Sequence, residues 1–441
     1  MIADYFGIEN RQKISNICIQ VRKAMIKDFV PNFLGARSLT REEWLEQNTG
    51  IIKKLFDLSE QQFAIVADGT YCYCQKSSSN FVQRKLYSGH KKRHLIKPFV
   101  ITAANGKIID VYGPFYEVDN DASIFLEILQ KDKDLKNLLK KDDLAILDRG
   151  FLDCISELKS KYQLNARIPT CIRNKNQFSS EEANQTRLVT KCRYVVEVVN
   201  RIFKQQFKAL DQIQNKMIPD IIDDYRIAAS LINCFFSDKI SDKNDWEEKA
   251  ELMKSKLNTK NNLNRYLDIR SSSYMFTKIE HCKDLGFPKL ILDQIRKHIT
   301  FGNYQLEQAY GYLADHLNTE GDYEFYTCNQ LFDEEDKKII FTKIQSRHCN
   351  SEKYKVFVMF SPNTGKYPIF LGFVAVKFNQ ENIPKPGYTI KRYMMKCQNG
   401  SDDDNISEND APSNSDLMDS TIKRSISFSS ENQNNPVPYR K

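Results

Sequence analysis

No apolar stretch of this 441-residue chain approaches the roughly 20 residues a membrane-crossing helix requires, and its first residues lack the apolar centre of a secretory signal. Neither a spanning segment nor an export signal is therefore expected. A cysteine framework is also missing. The 11 cysteines are scattered, and Cys18, Cys154, Cys192 and Cys234 lie inside apolar strand-like or helix-like runs. That usage excludes a secreted disulfide scaffold and suits a reducing compartment, cytosol or nucleus, with cysteines serving as small core residues. Cys72 and Cys74 are the closest approach to a zinc half-site, but partner ligands are missing nearby. The alternation Tyr-Cys-Tyr-Cys-Gln reads better as a strand. One-sided charge is absent as well: 28% of residues are charged, and the net charge is only +8.

With 41% hydrophobic residues the composition is that of a soluble globular protein, and the length calls for two or three domains. The acids are unevenly placed. Asp402, Asp403, Asp404, Glu408 and Asp410 crowd a tail after Ser401, so the remainder is more basic than the total. A polyanionic partner would explain that excess; so would a solvated lysine-rich face.

What is present centres on three acids. Leu144–Phe151 reads LAILDRGF, an apolar run ending in Asp148 with Gly150 to turn the backbone, and Phe63–Thr70 reads FAIVADGT, ending in Asp68 and Gly69. Both look like buried strands that carry a carboxylate to the sheet rim. Glu197 lies in a helical pattern, YVVEVVNRIFK, whose polar face holds Arg193, Glu197, Asn200, Arg201 and Lys204. A surface ladder Arg193–Glu197–Arg201 is the plainer explanation of Glu197 taken alone. Together, Asp68, Asp148 and Glu197 offer hard oxygen ligands on separate elements, the set that magnesium takes. Two such ions roughly 4 Å apart can activate an attacking oxygen and stabilise a leaving one at a phosphodiester.

Taken in order, residues 3–28 form two short helices. The second carries an apolar stripe (Ile14, Ile17, Cys18, Val21, Met25) and a basic remainder, which fits a helix-turn-helix fragment as well as a plain packing helix. Thr40 and Glu43 form a capping box before a clip helix over 41–56. Strands follow at FAIVAD, TYCYCQ, HLIKPFVITA and KIIDVYGPFY, the last two joined by an Asn105-Gly106 hairpin turn. Asp119-Asn120-Asp121 caps a helix, then come the LAILD strand and the helix FLDCISELKSKY. Residues 165–189 read as a polar loop insertion with Arg167, Arg173 and Lys175, followed by a helix from Thr190 to Phe207 and an apolar one over 224–237. Residues 242–260 read as a charged helix, 288–318 as helices around Pro288, and 322–378 as alternating strands that include Ser346-Arg347-His348. From about Gln398 the chain reads as a disordered tail, with Lys423-Arg424-Ser425 a candidate phosphosite. The expectation is an α/β fold: a mixed sheet flanked by helices (61–238), a helical N-terminal segment (1–60), a C-terminal α+β region (239–397) and the tail (398–441).

A meander of strands, a strand ending in Asp and a helix bearing Glu is the arrangement of ribonuclease H-like polynucleotidyl transferases. The stretches DGTYCYCQKSSSNFVQRKLYSGHKKRHLIKP, GKIIDVYGPFYEVDNDASI, LDRGF and RYVVEVVNRIFK closely resemble the DDE-superfamily endonuclease domain of PIF/Harbinger-type transposases. The resemblance implies a DNA endonuclease and transposase that works with Mg2+ or Mn2+, with Asp68, Asp148 and Glu197 as catalytic metal ligands and Asp121 in support. DNA is the implied partner, gripped by Arg84, Lys85, His90, Lys91, Lys92, Arg93, Arg149, Arg193, Arg201 and Lys204. There is room for a separate DNA-binding partner protein and for an oligomer. The nucleus, or the cytoplasm, is the expected location. Similar proteins can continue into a SWIM-like zinc motif, but after Cys349 this chain has only Cys397 and no histidine. Two other functions stay open: a catalytically silent, transposase-derived DNA-binding protein, and a protein-interaction scaffold built on the C-terminal region.

Overall fold

The structure is a computed structural model that describes residues 5, 7, 10–171, 178–236 and 244–258, with short stretches between 263 and 378. Arg173, Lys175, Ser346-Arg347-His348 and the acidic tail lie outside the described residues. The chain divides into two compact units, the first built on residues 1–171 with 182–257 and the second on residues 172–181 and those described after 257.

The first unit opens on helix α1 (Arg11–Ala24), capped by Asn10 and continued through a wider helical turn (Met25–Phe29) into α2 (Val30–Phe33). Its expected apolar stripe does not pack throughout: Ile17 and Val21 are exposed. The clip follows as α3 (Arg41–Leu45) and α4 (Gly50–Phe56). The capping box forms, with Thr40 and Glu43 satisfying each other's backbone N–H groups. Trp44 is fully buried and donates its indole N–H to the Ala36 carbonyl at 2.9 Å.

An eight-stranded mixed sheet follows. Its strands are β1 (Ala64–Gly69), β2 (Cys72–Cys74), β3 (Tyr87–Ser88), β4 (Arg93–Ala103), β5 (Ile108–Tyr116), β6 (Leu144–Ile146), β7 (Asn165–Arg167) and β8 (Gln212–Ile213). The main path runs β7-β6-β1-β4-β2-β8, with β3 and β5 also paired to β4. Strands β1, β6 and β7 are parallel neighbours; β4 runs antiparallel to β1 and β2. Central β1 and β6 are buried on both faces, which is why they read as unbroken apolar runs rather than as alternation. Helices cover the sheet: α5 (Asn80–Leu86), α6 (Asp121–Lys131), α7 (Lys133–Leu138), α8 (Ile155–Ser160), the 27-residue α9 (Ser180–Gln206), α10 (Ile221–Phe235) and α11 (Trp246–Ser255). This is the expected α/β class, consistent with a ribonuclease H-like fold.

Four local expectations are corrected. Residues 165–189 are not one loop: β7 extends the parallel edge, and α9 begins at Ser180, ten residues before the apolar periodicity starts. Polar residues lead that helix, so amphipathic spacing could not mark its beginning. Asn80–Leu86, between the TYCYCQ and HLIKPFVITA strands, is a helix that the residue pattern did not mark, so Arg84 and Lys85 sit on α5. The β4–β5 turn is a three-residue loop. Gly106 N–H bonds the Ala103 carbonyl, Ala103 N–H bonds the Lys107 carbonyl, and only Gly106 takes a positive φ of 87°. Short β8 pairs with β2 in parallel, too brief to show a period.

Two buried ion pairs tie the layers together. Arg41 of α3 grips Asp143 with two hydrogen bonds of 2.8 and 2.7 Å, while Asp143 also accepts the Phe63 N–H at 2.8 Å. One carboxylate thus ties the clip to the beginnings of β1 and β6. Arg226 of α10 pairs with buried Asp110 of β5, at 3.0 Å from Nε to Oδ1. The second unit holds a five-stranded antiparallel sheet in the order β13-β12-β11-β10-β9: β9 (Thr277–Lys278), β10 (Tyr326–Cys328), β11 (Lys338–Gln345), β12 (Lys353–Phe360) and β13 (Gly372–Phe378).

Candidate active site at the ends of the parallel strands

The register of β1 and β6 decides the site. Val66 pairs with Ile146, so Asp68 and Asp148, each two residues further on, leave neighbouring parallel strands at the same end. Asp148 caps the short 3-10 helix Arg149–Cys154, accepting the Arg149 backbone N–H at 2.6 Å. Asp121 begins α6 behind its N-cap Asn120. Glu197 lies near the middle of α9, whose buried side (Val195, Val196, Val199, Phe203) faces the core.

An aromatic cluster sets these elements against one another. Phe99 of β4, Phe125 of α6 and Phe151 after Asp148 have ring centroids 5.9 to 6.0 Å apart and are fully buried. Phe125 is one helical turn beyond Asp121 and Phe151 three residues beyond Asp148, so the cluster fixes where both carboxylates emerge. The two glycines keep the space open. A Cβ at Gly69 would lie 3.2 Å from Asp121 Oδ1 and 3.1 Å from Lys97 Cδ, and one at Gly150 would lie 3.8 Å from Asp121 Oδ2. The Asp121 carboxylate therefore lies within about one side-chain diameter of both strand-end motifs.

The four acids share one electrostatic environment. Burial pushes the Asp68 carboxyl up to about 7; Arg193 opposes the rise, while Asp148, Asp121 and Glu197 add to it. Cations hold three of the four. Arg193 Nη1 stands 3.6 Å from Asp68 Oδ2, and Nη2 of the same guanidinium bonds Glu197. Lys97 Nζ donates to Asp121 Oδ1 at 2.9 Å and to the Asp119 carbonyl at 2.8 Å. With the side chains so engaged, no three Asp, Glu, His or Cys residues among those described are grouped to hold a metal ion. The donor set nevertheless suits a hard divalent cation. Asp68 and Glu197 must share one guanidinium, and Asn200 Oδ1, three residues after Glu197 on α9, is buried without a hydrogen-bond partner.

The expected DNA contacts separate into groups. His90, Lys91 and Lys92 are exposed in the β3–β4 turn and Arg93 is exposed at the start of β4; Arg84 is exposed on α5, and Lys85 lies over the rings of Phe81 and Tyr116 at 4.4 and 4.5 Å. Arg149 is exposed beside Asp148. On α9, Arg193 turns to the acids, Arg201 is exposed and Lys204 is half-buried, its pKa lowered by desolvation and by neighbouring Lys91. Of the alternative surface ladder Arg193–Glu197–Arg201, only the Arg193–Glu197 rung is formed, and the same guanidinium also faces Asp68. Lys97 escaped the sequence reading, although a lone lysine within the apolar strand HLIKPFV was a usable signal. Tyr71 and Tyr73 escaped it too; their alternation with buried Cys72 and Cys74 marked them as facing the other side.

Residues 67–233 match the family of DDE superfamily endonucleases. The match covers most of the mixed sheet and its flanking helices up to α10, and leaves out the N-terminal helices and everything after residue 233. No curated protein and no solved structure matches the chain. No helix among the described residues is long and apolar enough to cross a membrane.

Proposed function

We propose that the first unit is a metal-dependent DNA endonuclease of transposase type, with Asp68, Asp148 and Glu197 as the catalytic carboxylates and Asp121 beside them. The observation that carries this reading is the shared environment of the four acids: buried Asp68 feels the charge of Asp148, Asp121 and Glu197 at the common end of two parallel strands. Crowded carboxylates repel one another at several kcal/mol per pair in a part-buried site, and a divalent cation relieves that repulsion. Asp68, Asp148 and Glu197 would hold Mg2+ or Mn2+; when bound, such ions lower the pKa of an attacking water and stabilise the leaving oxygen of a phosphodiester. The side chains supply the rest. Arg193 exchanges its carboxylate partners for a phosphate, and exposed Arg149 lies where a phosphate near Asp148 would pass. The proposed location is the nucleus.

The test is nicking of supercoiled plasmid by the purified chain in Mg2+ or Mn2+. Asp68→Ala, Asp148→Ala and Glu197→Ala should each lower the rate at least about a hundredfold, the scale of losing a group that stabilises transition-state charge. Full activity in Asp148→Ala would refute the assignment. One observation favours a second reading, a silent DNA-binding protein: Arg193 already binds both Asp68 and Glu197. That reading expects salt-dependent DNA binding that Mn2+ does not alter, and no nicking.

A further inference from the structure

Tyr71 and Tyr73 present their rings to three cations brought from two distant parts of the chain. Lys91 Nζ lies 5.1 Å from the Tyr71 ring centre and Lys204 Nζ 5.9 Å from the same ring; over Tyr73 stand Lys204 at 5.8 Å and Arg93 Cζ at 5.3 Å. Among the described residues, none of the three makes an ion pair with a carboxylate, although the charge of Asp211 reaches Lys204 from beyond ion-pair distance. The distinction matters physically. A carboxylate orients a cation by neutralising it, whereas an aromatic face orients it and leaves the charge uncompensated. Two ammonium groups on one ring also repel each other, and an anion between them removes that repulsion.

The platform borders the acids. Tyr71 is three residues beyond Asp68, and the charges of Asp68, Asp121, Glu117 and Asp148 all reach it. A polyanion approaching those carboxylates needs neighbouring cations not already spent on them. Arg193 and Lys97 are spent; Lys91, Arg93 and Lys204 are not. We propose that these three cations, mounted on Tyr71 and Tyr73, form a metal-independent phosphate platform that holds the DNA backbone beside the acid cluster. The choice of DNA as the polyanion rests on the nuclease reading above.

The experiment titrates a labelled 30-base-pair duplex with the full chain in EDTA at a series of salt concentrations, following fluorescence anisotropy. Each of Lys91→Met, Arg93→Met and Lys204→Met should reduce the slope of log K against log salt by about 0.9, the value of one lost phosphate contact. Tyr71→Phe keeps the ring face and should bind as the parent does. Tyr71→Leu should weaken binding about two- to fivefold, the scale of an exposed cation–π contact. Lys131→Met, whose ammonium pairs with Glu127 on α6, is the control and should change nothing. An unaltered slope in Lys91→Met and Arg93→Met, both exposed positions that fold tolerates, overturns the platform, as does a Tyr71→Leu protein that melts and binds like the parent. Plasmid nicking in Mg2+ separates the two proposals. Changed slopes without nicking uphold the platform and defeat the nuclease; nicking with unchanged slopes does the reverse; no affinity for the duplex at low salt defeats both.

Discussion

Asp68 is the residue on which the site turns, because burial and three neighbouring acids hold its carboxyl near 7, well above the ordinary aspartate value of 3.8. The sign of the consequence follows from linkage. A carboxyl whose folded pKa is raised contributes stability below its unfolded pKa and loses it as pH rises through the folded one. The metal-free protein should therefore lose stability between about pH 4 and pH 7, and Asp68→Asn should flatten that slope and melt higher than the parent at pH 8. Thermal melting in EDTA across this range checks it; an equal slope in both proteins would count against a perturbed Asp68. Arg193 gives a second prediction at the same scale. Its guanidinium competes for Asp68 and Glu197, so Arg193→Met should tighten Mn2+ binding roughly three- to tenfold, the worth of a part-buried ion pair. Titration of Mn2+ by electron paramagnetic resonance reads this directly, without DNA or turnover. Unchanged affinity would mean that the guanidinium does not compete.

At the scale of elements, the two aspartate strands are held at both ends by different physics. At the start, Arg41 and buried Asp143 join the clip helix to β1 and β6; at the far end, the Phe99–Phe125–Phe151 cluster sets α6 against the loop after β6. Arg41→Ala would leave Asp143, 1% exposed, as an uncompensated buried charge, and should cost about 3–5 kcal/mol. Phe151→Ala should cost a similar amount, about 3–5 kcal/mol, through lost burial and a cavity. The two differ in what they do to the site. Arg41→Ala acts far from the acids and should leave Mn2+ affinity unchanged in the protein that remains folded, whereas Phe151→Ala frees Asp121 and Asp148 and should weaken it. Denaturant melts paired with Mn2+ titration separate them.

For the whole molecule, the division after residue 257 is a prediction about folding. Helix α11 docks on α4 through Lys54–Glu251 and Lys254–Asp57, so the first unit carries its own closing helix. A chain ending at residue 257 should unfold in one cooperative transition and bind Mn2+ as the full chain does. A broad, non-cooperative melt would show that the core requires the second unit.

Much of the sheet was legible from residues alone. The buried strands around Asp68 and Asp148 announced themselves because central strands covered on both faces must be apolar throughout, and the Asn120 cap and the Thr40–Glu43 box because helix ends need local partners. The elements that escaped were β3 and β8, with two residues each, β7, with three, the two-turn helix α5, and the polar first turns of α9, where stability comes from neighbours rather than from a period in the chain. For the site, the sequence by itself determined which acids stand at strand ends and on a helix. Only the tertiary structure decided their company: Arg193 between Asp68 and Glu197, Lys97 on Asp121, and Tyr71 and Tyr73 beneath Lys91, Arg93 and Lys204. The physical reason is that pairing energies depend on distance in space, and strand register and helix packing bring together residues more than a hundred positions apart.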